Sequence, residues 1–446
     1  MPARVLMRFL LVGGDIILLL LAVPIALSIR ILGVPSSADV VLHLVPFSIL
    51  TILFILVFFS AGLYDSETAI SRREVPGTIF VAQIVNMLLA TVFFFFVPLF
   101  GITPKTTLFI YLLVSVAFVS AWHFWAPLIF GRSKARAMLI GDGTDFDEVA
   151  HEAKNGTCSF FIERTISVSG KNIDTITDEV EEALATQPDF IIMDIGSEET
   201  QSMFARLSNR VHFEGRFLNF AKVYEDLFRR ITPRALSYRW LISNGKPEQF
   251  FYAIAKRFFD LLCGVILFVV FLVILPFVWA ALFIEGSGKL FITQERMGKG
   301  GKKISVLKFR TMTNDEQGVW LGESENKVTK VGSFLRKTSL DELPQVLTVL
   351  RGDLSLIGPR SDIVALAERL ADSIPFYTSR YTVTPGITGW AQVNQRYSPG
   401  NISPQSIEES RLRLAYDLYY VRHRSPLLDL SITLRTLKTL ISRWIV

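Results

Sequence analysis

Two cysteines are too few for a disulfide framework or for the paired spacing of a zinc knuckle, and Cys158 and Cys263 lie far apart, in a polar stretch and at the start of an apolar run. Charge is scarce as well. Asp, Glu, Lys and Arg make up 20% of the 446 residues against 50% hydrophobic ones, too apolar for an ordinary water-soluble chain, so a membrane is implied. A basic stripe interleaved with stacking aromatics is missing, which speaks against nucleic acid as a partner. The first apolar run lacks a small-residue cleavage site and is followed by more runs, so no cleavable secretory signal is expected. With so little cysteine, the soluble parts are expected in a reducing compartment.

What is present begins with four apolar stretches, 9–32, 41–63, 78–100 and 106–130. Each has the roughly 20 residues a spanning helix needs, which predicts a four-helix transmembrane domain over 1–133. Arg4 and Arg8 precede the first stretch, Arg72 and Arg73 separate the second from the third, and Arg132, Lys134 and Arg136 follow the fourth, whereas the other loops carry only His43 and Lys105. The positive-inside rule then places both ends of the bundle in the cytoplasm. Asp15, near the cytoplasmic end of the first span, is read as a packing or interfacial residue.

Residues 134–245 have the composition of a soluble α/β domain, with strands expected at 137–140, 190–195 and 215–220 and a helix at 178–185. The first strand runs into Gly141-Asp142-Gly143-Thr144, a partial dinucleotide-binding turn. No third glycine follows, and Asp142, Asp145, Asp147 and Glu148 put negative charge where a pyrophosphate would sit. A Rossmann-like domain without a dinucleotide is therefore expected, and a dehydratase or epimerase is disfavoured because no Tyr-x-x-x-Lys pair is found there.

From 246 to 446 a third domain is expected. Residues 261–284 carry no charge, yet Lys256 and Arg257 precede them and Lys289, Arg296, Lys299, Lys302 and Lys303 follow, so a simple crossing would leave one basic flank outside. Pro276 within the run favours a bend. A re-entrant helix over about 257–284, entering and leaving on the cytoplasmic face, resolves both facts. At the far end Leu427, Leu430, Leu434, Leu437, Ile441 and Trp444 recur at helical spacing, which suits either an amphipathic helix in the headgroups or a core-facing one.

Between these lie Lys308, Arg310, Arg336, Lys337, Arg351 and Arg360, cations of the kind that hold phosphate. Ser339-Leu340-Asp341-Glu342 has capping-box spacing, with Ser339 at the N-cap and Glu342 reaching back. A chemical reading stands beside it. An ionised carboxylate among arginines can attack phosphorus, and its neighbour can hold magnesium.

From Lys256 to the end the chain resembles the bacterial sugar transferase family, the monotopic polyprenyl-phosphate sugar-1-phosphate transferases. The matching stretches are KRFFDLL at 256–262, FITQERMGKGGKKISVLKFRTM at 291–312, VGSFLRKTSLDELPQVLTVLRGDLSLIGPR at 331–360, PGITGWAQVN at 385–394 and YDLYYVRHRSPLLDL at 416–430. The resemblance implies that Asp341 attacks the phosphate of a UDP-sugar, releases UMP and passes the phosphosugar to undecaprenyl phosphate. It assigns Glu342 to Mg2+, Arg336 and Arg360 to substrate phosphate with Lys308 and Arg310 as further candidates, and Pro276 to the break of the re-entrant helix. Two departures stand out: Ser361 follows Gly358-Pro359-Arg360 where the family has proline, and Gln395 replaces a glycine after Asn394.

The expected protein is a multi-pass bacterial inner-membrane transferase with a mainly α monotopic catalytic domain on the cytoplasmic face, initiating exopolysaccharide, capsule or O-antigen synthesis. Its expected partners are a UDP-sugar, undecaprenyl phosphate, membrane lipids and, as an allowed assembly, a homodimer, with no nucleic acid. The alternative is a non-catalytic membrane regulator that senses nucleotide sugars through the middle domain.

Overall fold

The structure, a computed structural model, describes residues 2–64, 75–97, 105–129, 135–155, 158, 160–186, 188–194, 202, 216–232, 250–286, 288–312, 328–397 and 403–445. Arg72, Arg73, Arg132 and Lys134 lie outside them. The chain divides into two compact units, 1–228 and 229–446.

The first unit opens with four long helices, α1 (Pro2–Ile31), α2 (Ser37–Ser60), α3 (Val75–Phe96) and α4 (Lys105–Ile129). All four have the length and apolar composition to cross a membrane. α1 and α3 each pack against both α2 and α4, around Leu19, Phe47, Phe54, Phe58 and Tyr111. Close approach of α1 and α4 depends on Gly14, where a Cβ would lie 2.2 Å from the Trp122 indole. Asp15, fully buried, receives the Tyr64 hydroxyl at 2.7 Å and lies 2.9 Å from His123 Nε2, so it ties three elements together as a packing residue.

A four-stranded parallel sheet follows in the order β2-β1-β3-β4, built from β1 (Ala135–Ile140), β2 (Phe160–Ile166), β3 (Phe190–Met193) and β4 (Arg216–Asn219). Helices α5 (Thr144–Lys154), α6 (Ile173–Leu184) and α7 (Phe220–Phe228) accompany it. One apolar cluster contains Phe146, Val149, Phe160 and Phe220, and another contains Ile140, Ile176, Val180 and Ile191. β2 escapes sequence reading because Glu163, Arg164 and Thr165 interrupt its alternation. In the glycine turn, the space a Gly141 Cβ would need is filled by the Phe146 ring at 2.3 Å. The Asp142 carboxylate accepts the amides of Val168 at 2.5 Å and Ser169 at 2.6 Å. Asp142 thus fastens the loop after β2 to this turn.

Among the described residues of the second unit, the first helix is α8 (Phe250–Glu285), which runs without interruption through Pro276. Tyr252, Asp260, Gly264, Phe271, Val278 and Leu282 form its buried stripe, while Phe251, Phe258, Val265, Val273, Phe277 and Phe283 are exposed. An antiparallel hairpin of β5 (Phe291–Met297) and β6 (Lys303–Phe309) comes next. Then follow α9 (Lys330–Thr338), a 3-10 turn (Leu340–Gln345), α10 (Val346–Arg351), β7 (Ser355–Ile357), α11 (Val364–Ser373), a second 3-10 turn (Tyr377–Thr382), β8 (Gly386–Thr388), α12 (Trp390–Asn394), α13 (Ile407–His423) and α14 (Pro426–Ile445). Trp390, Tyr377, Tyr420, Leu418 and Ile432 centre the core of this unit. The first half of α14 faces that core: Leu428 and Ile432 are buried, and Arg435 lies 5.0 Å over the Trp390 ring while donating to Asn394 at 2.6 Å.

Candidate active site

The capping box expected at Ser339 does not form. Ser339 ends α9 in the left-handed region (φ 59°) and makes no side-chain cap to the turn that follows. Pro344 has no N–H to bond back to Leu340, which favours the tighter 3-10 winding seen over 340–345. Glu342, freed from a capping role, faces Arg360. Arg360 Nη1 donates to its Oε2 at 3.0 Å and Nη2 to its Oε1, and Lys308 Nζ reaches Oε1 at 3.3 Å. A guanidinium fork on a carboxylate is stronger than a bond to a neutral amide, which accounts for the exchange.

Asp341 is 8% exposed. Burial, then the neighbouring Glu342 charge, pushes its carboxyl up to about 6, against the pull of Lys308, Arg360 and Arg336. The side chain expected to be simply ionised is instead poised for protonation just below neutral pH. For Glu342, burial alone would raise the carboxyl, but Arg360 and then Lys308 hold it far below the ordinary carboxylate range. Two adjacent acids are therefore driven apart, a pattern that marks functional sites.

Of the cations expected here, the structure gathers Lys308, Arg336 and Arg360. Arg336 donates from Nε to the buried Thr311 hydroxyl at 3.0 Å. Arg310 stands apart. Its Nη2 donates to the carbonyls of Leu282 at 3.4 Å and Gly286 at 3.1 Å, so it caps the end of α8, where terminal carbonyls attract a cation.

Arg360 is held from behind by residues that sequence reading missed. Arg380 Nη2 and Arg413 Nη2 both donate to its carbonyl at 2.8 Å. These two arginines share Asp362 and Asp417: Arg380 pairs with Asp362 and lies 2.6 Å from Asp417, and Arg413 lies 3.0 Å from Asp362. Tyr377 and Tyr381 add hydroxyls to Asp362 at 2.8 and 2.9 Å. Two cations against two anions leave the buried cluster electrically balanced. Burial would raise the Asp362 carboxyl, yet Arg380 and Arg413 bring it to about 2. The Arg413–Asp417 spacing of four residues on one helix was the available signal, but it also describes an ordinary surface pair.

Backbone packing fixes the same loop. A Cβ on Gly386 would lie 2.1 Å from the Gly358 nitrogen, and one on Gly389 would lie 2.2 Å from the Gly358 carbonyl oxygen. Glycine there lets β8 close against Gly358-Pro359-Arg360, and Gly386 N–H bonds the Pro359 carbonyl at 2.9 Å. At the two departures, Ser361 is buried with its carbonyl accepting from Arg296 at 2.7 Å, and Gln395 is buried, donating to the Glu409 carbonyl at 2.8 Å. Both replacements are built into the loop packing.

Long apolar helices and an adjacent acid pair, Asp341 buried and Glu342 half-buried, with Lys308, Arg336 and Arg360 around it define a membrane protein with a site suited to phosphoryl chemistry. Residues 251–443 match the bacterial sugar transferase family. The chain is 41% identical over 199 residues to a Bacillus subtilis protein described as an uncharacterized sugar transferase, across 43% of this chain and 90% of that one. It is 37% identical over 190 residues to the UDP-glucose:undecaprenyl-phosphate glucose-1-phosphate transferase of Caulobacter vibrioides, across 42% of this chain and 70% of the relative. A third relative is the UDP-N-acetylgalactosamine-undecaprenyl-phosphate N-acetylgalactosaminephosphotransferase of Aeromonas hydrophila, 36% identical over 194 residues. That match spans 43% of this chain and 44% of the Aeromonas protein. The chain belongs to the bacterial sugar transferase family.

Proposed function

We propose that the chain transfers a sugar-1-phosphate from a UDP-sugar to undecaprenyl phosphate, giving undecaprenyl-diphosphate-sugar and UMP, as the first committed step of a surface polysaccharide. The observation that carries this reading is Asp341, a buried carboxyl beside Lys308, Arg336 and Arg360 and next to an acid already locked by a guanidinium. In the first half-reaction an Asp341 oxygen bonds to the phosphorus attached to the sugar, the bond between the two phosphates breaks, and UMP leaves with the bridging oxygen. In the second, a phosphate oxygen of undecaprenyl phosphate attacks the same phosphorus and releases the Asp341 carboxylate. Positioning and charge stabilisation dominate such chemistry, and both are supplied by the fixed cations.

Among the described residues no group of three or more His, Cys, Asp or Glu side chains could hold a metal. Magnesium takes one or two carboxylates and completes its shell with substrate phosphate and water. Glu342 fits the part: it is ionised, and its Oε2, which accepts from Arg360 Nη1, keeps a second lone pair. A bound ion would neutralise charge on the transferred phosphate.

How α8 is held supports a membrane seat for the catalytic domain. Near its start, Arg257 donates to the carbonyls of Val349 and Leu350, both at 2.8 Å. At its end, Glu285 accepts the Val331 amide at 2.8 Å. A straight helix of 36 residues extends about 54 Å, well beyond a hydrocarbon core of about 30 Å. A full crossing would take α9, with Lys330, Arg336 and Lys337, into lipid. This supports a shallow seat entered from the cytoplasmic face of the inner membrane; α8 itself runs as one helix through Pro276, so the break expected there is not what gives that seat.

The test is UMP release from a panel of UDP-sugars by the purified chain with magnesium and undecaprenyl phosphate. At least one UDP-sugar should give UMP that depends on the lipid acceptor at multiple turnovers; none doing so would sink the assignment. Arg360→Lys should lower the rate about 10²-fold, since an ammonium cannot reproduce the two parallel bonds to Glu342.

A further inference from the structure

Apart from the Asp341 cluster, the second unit contains a cavity of about 170 Å³ whose walls include Lys256, Arg257, Asp260, Thr384 and Arg424. None of its lining residues belongs to that cluster. Lys256, Arg257 and Arg424 stand against Asp260 in the walls and Asp429 behind Lys256, a surplus of one positive charge. The carboxylate is committed to the protein, because Asp260 accepts the Ser355 hydroxyl and the Leu356 amide, both at 3.0 Å. Lys256 lies 3.2 Å from Asp429, and Arg257 is spread over two carbonyls, so these cations are held in place rather than swinging in solvent.

The neighbourhood tells what would enter. Ala253, Lys256, Arg257 and Asp260 follow one another at helical spacing and form the pocket side of α8. On the same turns, Phe250, Phe251, Ile254, Phe258 and Leu262 are exposed to between 52% and 85%. A positive cavity and an uncovered apolar face thus lie at one level of one helix, matching a molecule with a charged phosphate joined to hydrocarbon. We infer that this cavity binds the phosphate headgroup of an anionic membrane phospholipid, seating the start of α8 at the interface.

The inference rests on α8 lying in the bilayer, and the experiment reads that premise separately. The full chain is purified with a trace of phosphatidylglycerol in phosphatidylcholine, and retained lipid is counted by native mass spectrometry. The expected result is one phosphatidylglycerol per chain, falling about fivefold in Arg424→Gln and in Thr384→Glu, which act from different walls of the pocket, while melting in pure phosphatidylcholine is unchanged. Equal retention in both variants overturns the site. If inorganic phosphate raises the melting temperature and phosphatidylglycerol does not, the pocket takes a soluble phosphate and the lipid assignment is overturned. Quenching of Trp279 by brominated phosphatidylcholine, scored against Trp279→Phe, reports the premise: absence of quenching fails the membrane seat, whereas quenching with equal retention fails the pocket alone.

Discussion

Asp341→Asn should lose UMP release by at least about 10⁴-fold while making the protein more stable at neutral pH. The two effects share one cause. Burial and the Glu342 charge put the folded-state carboxyl at about 6, above the ordinary aspartate value of 3.8. Between those values the folded chain binds more protons than the unfolded one, so stability falls as pH rises from about 4 to about 6, and the deficit persists above that window. A neutral amide of the same shape removes the deficit, a gain of up to about 3 kcal/mol at pH 8. Activity runs the other way, because the attacking species is the carboxylate. The value of kcat/KM should therefore drop below about pH 6 with unit slope. Denaturant unfolding and a pH–rate profile check both halves. An Asp341→Asn chain that is inactive but also less stable would mean that the residue holds the fold and not the phosphorus.

The long elements were legible because their signals are local. Each of the first four helices declares itself by an uninterrupted apolar run, and β1 and β3 by four buried residues in succession. The acid pair and three of its cations were visible once the motifs were recognised, since they lie in segments of characteristic order. What stayed hidden depends on pairing across sequence distance. No local pattern tells that Glu342 will meet Arg360 rather than its own helix start, because the choice is made by the left-handed Ser339 and by Pro344 together with the position of a loop 18 residues on. Likewise Arg310 shares a strand end with Lys308 yet turns to the end of α8, a neighbour that exists only after folding. Desolvation was equally unreadable. The sequence shows an acid among arginines and suggests a lowered carboxyl, whereas the packing around Asp341 outweighs those charges.

Arg380→Met carries the second large effect, and it falls on stability and catalysis together. The Arg380 side chain is completely buried, and its guanidinium faces Asp362, Asp417 and the Arg360 carbonyl. Methionine fills most of the volume but leaves two buried carboxylates with only Arg413 to balance them. Breaking a buried ion pair from one side costs about 3–5 kcal/mol, far more than the pair contributes relative to an apolar replacement of both partners. The loss should appear as a lower denaturant midpoint with an unchanged slope. Catalysis should fall further than the folded fraction explains, because Arg360 loses one of the two donors that fix its backbone and Glu342 then loses the alignment of its fork. The double variant Arg380→Met with Asp362→Leu separates the contributions: removing the orphaned charge should restore much of the stability, while the rate remains low because Arg360 is still released. Recovery of both together would show that the cluster serves folding alone; recovery of stability without rate would show that it holds Arg360 against Glu342 for the transfer.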